Sequence, residues 1–267
     1  MTLVRTDPGP VWRVVLNRPG ARNAVSEAML LELRRALDEA GVDRDARIVV
    51  LTGEGPDFCA GADLTELEAA AGGPDGLEYG RPLEEVLRAI GKHPLPVIAE
   101  IRGSALGAGC QLAVACDLAV AASDARLGIP SSRLGVVIGF ENVERLVLSV
   151  GPKRAAHILV AGRTVSGQEA ASWGLVNEAV PPEQLAARVT ELADSVAAGA
   201  PLSVRASKRG IRAALERLSL DRTAEGFRVA DFDMMAADAL VSEDLREGIR
   251  AFRERRSPRF RGARWRT

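Results

Sequence analysis

The fold expected for this chain is decided by two stretches of small residues, FCAGAD at positions 58–63 and GSALGAG at positions 103–109. Each stretch follows an apolar segment typical of a strand and opens a segment typical of a helix. The first N–H groups of a helix lack intrahelical partners and carry partial positive charge. Two such groups aimed at one point can hold the oxygen of an enolate or a tetrahedral intermediate. The two stretches therefore predict an oxyanion hole.

Composition sets wide limits on the class of protein. The chain has 267 residues, of which 47% are hydrophobic, so it can bury a large core. A formal net charge of −1 gives no excess of positive charge that would indicate nucleic-acid binding, although residues 253–266 are locally basic. No apolar run is long enough to span a membrane, and no export signal is recognisable at the N-terminus. The three cysteines lack metal-ligand spacing. We expect a cytoplasmic protein without a metal, a nucleic-acid partner or a membrane anchor.

Short, nearly continuous apolar segments alternate with helical patterns in the first two thirds of the chain. Such segments are typical of strands in a sheet that is covered on both faces. Ser26 is a suitable N-cap for a helix that reaches Ala40, with a single apolar stripe. This alternation predicts an α/β fold. The predicted strands are 11–16, 48–51, 97–101 and 118–121.

Beyond Pro181 the apolar residues recur only at helical spacing, over 185–196, 202–218, 227–235 and 245–252. We expect a core domain at 1–180 and a C-terminal helical region at 181–267. The glycine-rich segment 69–80 predicts a mobile loop.

Further motifs share their order with one protein family. They are NRP at 17–19 with NA at 23–24, VVLTG at 49–53, ACDL at 115–118, LVAGR at 159–163, WGLVN at 173–177, and the segment from SED at 242–244 to Phe260. With the two opening stretches, they make the chain resemble the crotonase superfamily, also called the enoyl-CoA hydratase/isomerase family, over nearly its whole length. The resemblance implies a spiral of ββα turns, followed by helices that build homotrimers or hexamers. It also implies an acyl-CoA thioester as substrate and no separate cofactor.

The resemblance assigns roles to individual residues. The thioester C=O would lie between the backbone amides of Ala62 and Ala108, the latter being glycine in most relatives. A guanidinium suits the 3′-phosphate of coenzyme A, and relatives send a cation and an aromatic ring to it from an adjacent subunit. The alternative role for Asp63 is structural, as a residue that caps and fixes a turn. The residues matching the coenzyme A pocket are Arg22, Asn23, Ala24, Ala60, Gly61, Asp63, Leu64, Phe252 and Arg255.

The catalytic pattern of the family's hydratases is broken in this chain. Two glutamates activate water in those enzymes, and the matching positions here are Gln111 and Ser131. A glutamine can orient a water but cannot exchange a proton near neutral pH, and a serine without an adjacent base is a poor acid or base. Glu141 is the remaining candidate, although some relatives place a single carboxylate two positions earlier, where this chain has Gly139. The alternative role for Glu141 is to stabilise a helix N-terminus.

Three functions therefore stay open at this stage. The favoured one is an enzyme that stabilises a thioester enolate, for either hydration or double-bond isomerisation. The second is a non-catalytic acyl-CoA binding or regulatory protein, which the loss of both glutamates would fit. The third, a dinucleotide-dependent oxidoreductase, lacks the third glycine of the fingerprint after Gly109. His93 and His157 are expected to be structural or surface residues.

Overall fold

The computed structural model describes residues 2–71, 79–219 and 229–260, which form a mixed α/β fold. The strands are β1 Val4–Asp7, β2 Val11–Leu16, β3 Ile48–Gly53, β4 Val97–Ile101, β5 Ser104–Leu106, β6 Leu118–Ala122, β7 Arg126–Gly128, β8 Val165–Ser166 and β9 Glu178–Val180. The larger sheet has six strands in the order β1-β2-β3-β4-β6-β9, and every neighbouring pair except β1 and β2 is parallel. A second sheet has the order β5-β7-β8.

Helices follow most of the strands and cover the sheets. Their bounds are α1 Glu27–Val42, α2 Leu64–Ala70, α3 Arg81–Lys92, α4 Ala108–Ala115, α5 Phe140–Val150, α6 Pro152–Leu159, α7 Gly167–Trp173, α8 Leu185–Ala197, α9 Pro201–Ser219, α10 Val229–Leu240 and α11 Glu243–Arg253. The α/β class predicted from the sequence is confirmed. So is the N-cap of α1, because the Ser26 hydroxyl accepts a hydrogen bond from the Met29 N–H at 3.2 Å.

The four predicted strands are all present, as β2, β3, β4 and β6. Their side chains are almost entirely buried because helices cover both faces of the sheet, as continuous apolar runs indicate. The other five strands were not predicted from the sequence. They have two to four residues each, which is too short for a period of two to stand out.

The C-terminal region is helical, as predicted, in the part that the structure describes. Helix α8 buries Leu185, Val189 and Ala193 in the main core. Helix α9 is anchored by the buried Lys208, whose ammonium donates to the Asp117 carboxylate at 2.7 Å and to the Leu95 carbonyl at 2.9 Å. A buried ammonium needs such partners, so this contact fixes α9 to the core. The boundary at residue 180 stays a prediction.

Some predicted features lie outside the described residues. They are the central part of the loop at 69–80, the first residues of the helix at 227–235, and the end of the basic segment at 253–266. Among the described residues, no helix is both long and apolar enough to cross a bilayer.

Candidate active site

The two opening stretches lie side by side and run in the same direction. The Cys59 N–H donates to the Ser104 carbonyl at 2.8 Å, and the Leu106 N–H donates to the Cys59 carbonyl at 3.0 Å. These bonds form a parallel bridge between Cys59 and Ala105. The stretches are therefore in register, and residues that lie equally far beyond the bridge in sequence lie on the same side of it.

Ala62 and Ala108 each lie three residues beyond this bridge. The positions just before them, Gly61 and Gly107, are in near contact, because a Cβ placed on Gly107 would lie 3.7 Å from the Gly61 Cα. Both glycines have positive φ, +122° and +54°, which side chains disfavour. The glycines thus bring the two alanine amides to neighbouring points.

Neither alanine amide has an acceptor in the part of the chain that the structure describes. Around Ala62, the Val25 N–H donates to the Gly61 carbonyl and the Asp63 N–H donates to the Val25 carbonyl, which leaves the intervening N–H unused. Ala108 is the first residue of α4, where an N–H has no intrahelical partner. Two neighbouring donors without acceptors, one of them at the N-terminus of a helix, are chemically able to stabilise a negatively charged oxygen.

Helix α4 packs directly on the backbone of the first stretch. A Cβ at Gly109 would overlap the carbonyl oxygen of Cys59, so this position requires glycine. Ala108 is 3% exposed, and its methyl group lies within the core. The small residues of the second stretch therefore serve the close approach of α4 as well as the placement of the amide.

Gln111 lies one turn into α4, three residues after Ala108. It is 7% exposed, and its side-chain amide has no hydrogen-bond partner among the described residues. The amide atoms keep some access to solvent, because they are not among the fully buried unpaired side-chain atoms of the described residues, so the amide can meet a ligand or a water. Ser131 starts a short 3-10 turn, Ser131–Arg133, and is half-buried.

Glu141 lies in the first turn of α5, with its side chain about half exposed. Its carboxylate contacts the Arg88 guanidinium at 3.2 Å and the Arg145 guanidinium at 3.7 Å. A second carboxylate, that of Glu84 on α3, contacts Arg88 at 3.3 Å. A Cβ at Gly139 would overlap this Glu84 carboxylate. Two carboxylates and two guanidiniums therefore surround the start of α5.

Asn23, matched to the coenzyme A pocket, is completely buried. Its side-chain oxygen accepts from the Arg18 N–H at 2.9 Å, and its amide nitrogen donates to the carbonyls of Asp57 at 2.7 Å and Glu54 at 2.9 Å. The side chain therefore joins the loop after β2 to the loop after β3. Ala24 follows it and is half-buried.

Arg22 is held by Asp57. The Arg22 Nε and Nη2 atoms donate to the two Asp57 carboxylate oxygens at 2.8 and 3.0 Å. Hydrogen bonding to Arg22 lowers the pKa of Asp57, and the same contact raises the pKa of Arg22. Although its side chain is 58% exposed, Arg22 is therefore not a freely mobile surface arginine. Asp57 was not identified from the sequence, because an aspartate in a loop carries no signal of its tertiary partners.

Asp63 is the N-cap of α2, which is the structural role given above as its alternative. Its carboxylate accepts from the Thr65 N–H at 2.8 Å and forms an ion pair with Arg18 at 2.6 Å. Desolvation acts to raise its pKa, but the bonds from Arg18 and the helix amides outweigh this, so the pKa is lowered. Ala60 and Leu64, the other members of this segment, are half-buried.

Phe252 and Arg255 lie at the end of α11, both exposed to solvent. Arg255 has a φ of +53°, and its N–H donates to the Phe252 carbonyl at 3.2 Å. The segment after α11 is fixed to that helix by the buried Glu247. Its carboxylate accepts hydrogen bonds from the Arg256 guanidinium at 2.6 Å and from the Arg259 N–H at 2.9 Å. The two candidate ligand-binding side chains therefore project from an ordered turn.

The histidines and cysteines have structural surroundings. His93 is buried, with its ring nitrogens at 3.1 and 2.9 Å from the carbonyls of Leu95 and Leu37. His157 is exposed and stacks on Trp173. Cys59 and Cys110 are fully buried, and desolvation raises the pKa of each thiol to about 12, so neither is a nucleophile near neutral pH. The described residues contain no cluster of three or more side chains suited to a metal ion.

Comparisons with known proteins identify the family of the chain. A family model described as enoyl-CoA hydratase/isomerase matches residues 7–263. The 2,3-dehydroadipyl-CoA hydratase of Escherichia coli K12 is 37% identical over 94% of this chain and 95% of its own. The crotonyl-CoA hydratase of Syntrophomonas wolfei is 34% identical over 92% of each. The crystal structure of an enoyl-CoA hydratase/isomerase from Xanthobacter autotrophicus Py2 matches with a TM-score of 0.84 and 31% identity, over 95% of this chain and 93% of that one. The chain therefore belongs to the enoyl-CoA hydratase/isomerase family.

Proposed function

We propose that this family member binds an acyl-CoA thioester with its carbonyl oxygen between the backbone N–H groups of Ala62 and Ala108. The observation that carries the proposal is the pair of neighbouring amides without acceptors in the described chain. Hydrogen bonds from both amides stabilise the negative charge that develops on the oxygen when an enolate forms. Neither amide needs to reorganise during the reaction, because both belong to packed backbone.

The reaction that fits these residues best is transfer of the substrate α-proton, as in double-bond isomerisation. Hydration by two glutamates is not open to a chain with Gln111 and Ser131 at the matching positions. Gln111 offers a largely buried side chain whose amide has no partner among the described residues, and this amide can orient a water or a substrate oxygen. Hydration by another arrangement is the second candidate, because two of the relatives compared above are named as hydratases.

Glu141 is the group we propose to accept the proton. It sits at the start of α5 with Arg88 and Arg145 beside its carboxylate. These guanidiniums hold the side chain in place while leaving about half of it accessible. A carboxylate used for proton transfer needs such access to the substrate.

For coenzyme A, we propose a pocket formed by the backbone of residues 60–64 and 22–24, with no separate cofactor. Arg22 has one side-chain nitrogen, Nη1, without an acceptor among the described residues, and it can meet a phosphate. Phe252 and Arg255 would reach the coenzyme A of a neighbouring subunit, as the family resemblance implies.

Assembly into a homotrimer or a dimer of trimers belongs to the same proposal. Large apolar side chains are exposed on the C-terminal helices, and such surface is typical of an interface. Examples are Leu202 at 83%, Ile211 at 65% and Met234 at 67% exposure. We further propose a cytoplasmic location, with no nucleic-acid or membrane partner.

The test is a panel of short, medium and branched acyl-CoA and enoyl-CoA thioesters incubated with the protein in heavy water. Mass spectrometry detects α-deuteration and hydration, and absorbance detects a moved double bond. We expect deuteration or isomerisation of at least one thioester. Absence of every reaction, with tight binding retained, would favour the non-catalytic acyl-CoA binding protein instead.

The Glu141→Gln variant tests the proton acceptor. It should slow deuteration by about 10²–10⁴-fold, the usual contribution of general acid–base catalysis, with little change in affinity. Glu144→Gln, on the same helix, is the matched control and should keep the rate. Equal rates in both variants would exclude Glu141 as the base.

A further inference from the structure

The carboxylate of Asp57 connects the two stretches that carry the proposed oxyanion amides. Asp57 immediately precedes the first stretch, and Ser104 is the second residue of the other. Asp57 Oδ1 accepts a hydrogen bond from the Ser104 N–H at 2.8 Å. Asp57 is 7% exposed and Ser104 is 4% exposed, so this bond is shielded from water. A shielded hydrogen bond that a backbone amide donates to a carboxylate is stronger than the same bond between neutral groups.

Arg22 completes the arrangement on the other side of the carboxylate. Its guanidinium makes two parallel bonds to Asp57, and Nη2 also donates to the Ser104 hydroxyl at 2.5 Å. A two-pronged bond of this kind restricts both the distance and the orientation of the carboxylate. The Asp57 side chain thereby joins its own loop to the loop that carries Arg22 and to the start of β5. We call Arg22, Asp57 and Ser104 the Asp57 clamp.

The backbone around the clamp leaves little room for adjustment. Gly103 has a φ of +57°, and a Cβ there would overlap the Pro56 carbonyl oxygen. The Phe58 N–H donates to the Arg102 carbonyl at 2.8 Å. The Asp57 clamp is thus the first of a series of contacts between the stretches. The series ends where Gly61 and Gly107, the residues before the two alanines, are in near contact.

We propose that Asp57 is a positioning residue, which sets the separation and direction of the Ala62 and Ala108 amides without touching substrate. This inference rests on the proposed function of those amides. Removing the carboxylate would let the stretches move relative to each other at their origin. A displacement of about 1 Å at a reacting group is enough to cost on the order of 10²-fold in rate. The coenzyme A moiety would still be recognised by other residues.

The test compares Asp57→Asn and Asp57→Ala with the unmodified protein. Asparagine keeps an oxygen for the Ser104 N–H but turns a donor toward Arg22. Alanine removes both contacts. Asp38→Ala is the matched control, because Asp38 forms an exposed ion pair on α1, away from the stretches, in which Arg34 Nε donates to both carboxylate oxygens. For each variant, kcat and KM are measured, together with the infrared carbonyl frequency of a bound 1-¹³C-acyl-CoA.

We expect kcat to fall by about 10-fold in Asp57→Asn and about 100-fold in Asp57→Ala, with KM changed by less than about threefold. The lowering of the carbonyl frequency seen on binding should shrink in the same order. Asp38→Ala should match the unmodified protein. If Asp57→Ala does not fold, Asp57→Asn carries the test.

A folded variant that lacks the clamp yet keeps both kcat and the full carbonyl shift would overturn the inference. A fall in folded fraction alone, with the bound carbonyl unchanged, would assign Asp57 a purely structural role and overturn it too. If the unmodified protein itself shows no carbonyl shift, the proposed oxyanion hole fails instead, so the two failures are distinguishable.

Discussion

Replacing Ala108 by proline removes one proposed oxyanion donor at a helix position whose N–H the fold does not use. Ala108 is the first residue of α4, a position where proline is favoured because its N–H is not needed by the helix. In the described chain this N–H donates to nothing, so the substitution breaks no bond of the folded protein. Gly107, which precedes it, has the conformational freedom that a residue before proline needs.

The lost hydrogen bond should therefore destabilise the transition state and lower kcat. Removing one oxyanion donor costs about 2.7–4 kcal/mol, which is a fall of about 10²–10³-fold in kcat. Ala108→Gly keeps the N–H and should retain most of the activity, at a cost to helix stability of about 0.5–1 kcal/mol.

The assay is the rate of α-proton exchange at saturating thioester, with circular dichroism and thermal unfolding as measures of folding. Proline and glycine variants with equal activity would refute the role of the amide. So would a glycine variant as inactive as the proline variant while still folded, because the donor is intact there.

Three further predictions concern binding, assembly and pH. Titration calorimetry should show much tighter binding of acyl-CoA than of NAD, because no dinucleotide fingerprint is present; equal affinities would contradict the assigned pocket. Light scattering should give a trimer or hexamer, since apolar side chains are exposed on the C-terminal helices, whereas a monomer that binds coenzyme A at full strength would contradict a cross-subunit role for Arg255. Burial lowers the pKa of His93, so as the pH falls the unfolded chain takes up a proton on this residue before the folded chain does. The free energy of unfolding should therefore fall as the pH drops below about 6.5. His93→Gln should remove part of that pH dependence, and an unchanged pH profile in the variant would contradict the prediction.

The sequence was most informative where structure depends on local pattern. The strands β2, β3, β4 and β6 are continuous apolar runs, and the cap at Ser26 is a local signal, so both were predictable. The strands β5, β7 and β8 have two or three residues each, and their pairing depends on partners far along the chain. Single-sequence patterns carry no information on such pairing.

The candidate site was predictable in part, for the same reason. The glycine-rich stretches predict tight backbone turns, and Gly61 and Gly107 have the positive φ that such turns need, while the role of the neighbouring amides stays a proposal. The partners of Arg22 and Glu141 could not be derived, because Asp57 and Arg88 come from distant loops and helices. The side chain of Asn23 joins two loops, a role that the sequence did not predict because both partners are distant along the chain. The coenzyme A role that the family resemblance implies for Asn23 stays a prediction.

The central claim is that the amides of Ala62 and Ala108 polarise a thioester carbonyl. The most direct measurement is the infrared difference spectrum of 1-¹³C-butyryl-CoA bound to the unmodified protein and free in solution. Two hydrogen bonds from preorganised amides should lower the carbonyl stretching frequency on binding, and Ala108→Pro should remove much of that change. A bound carbonyl with the frequency found in water, or a shift that survives in Ala108→Pro, would contradict the account.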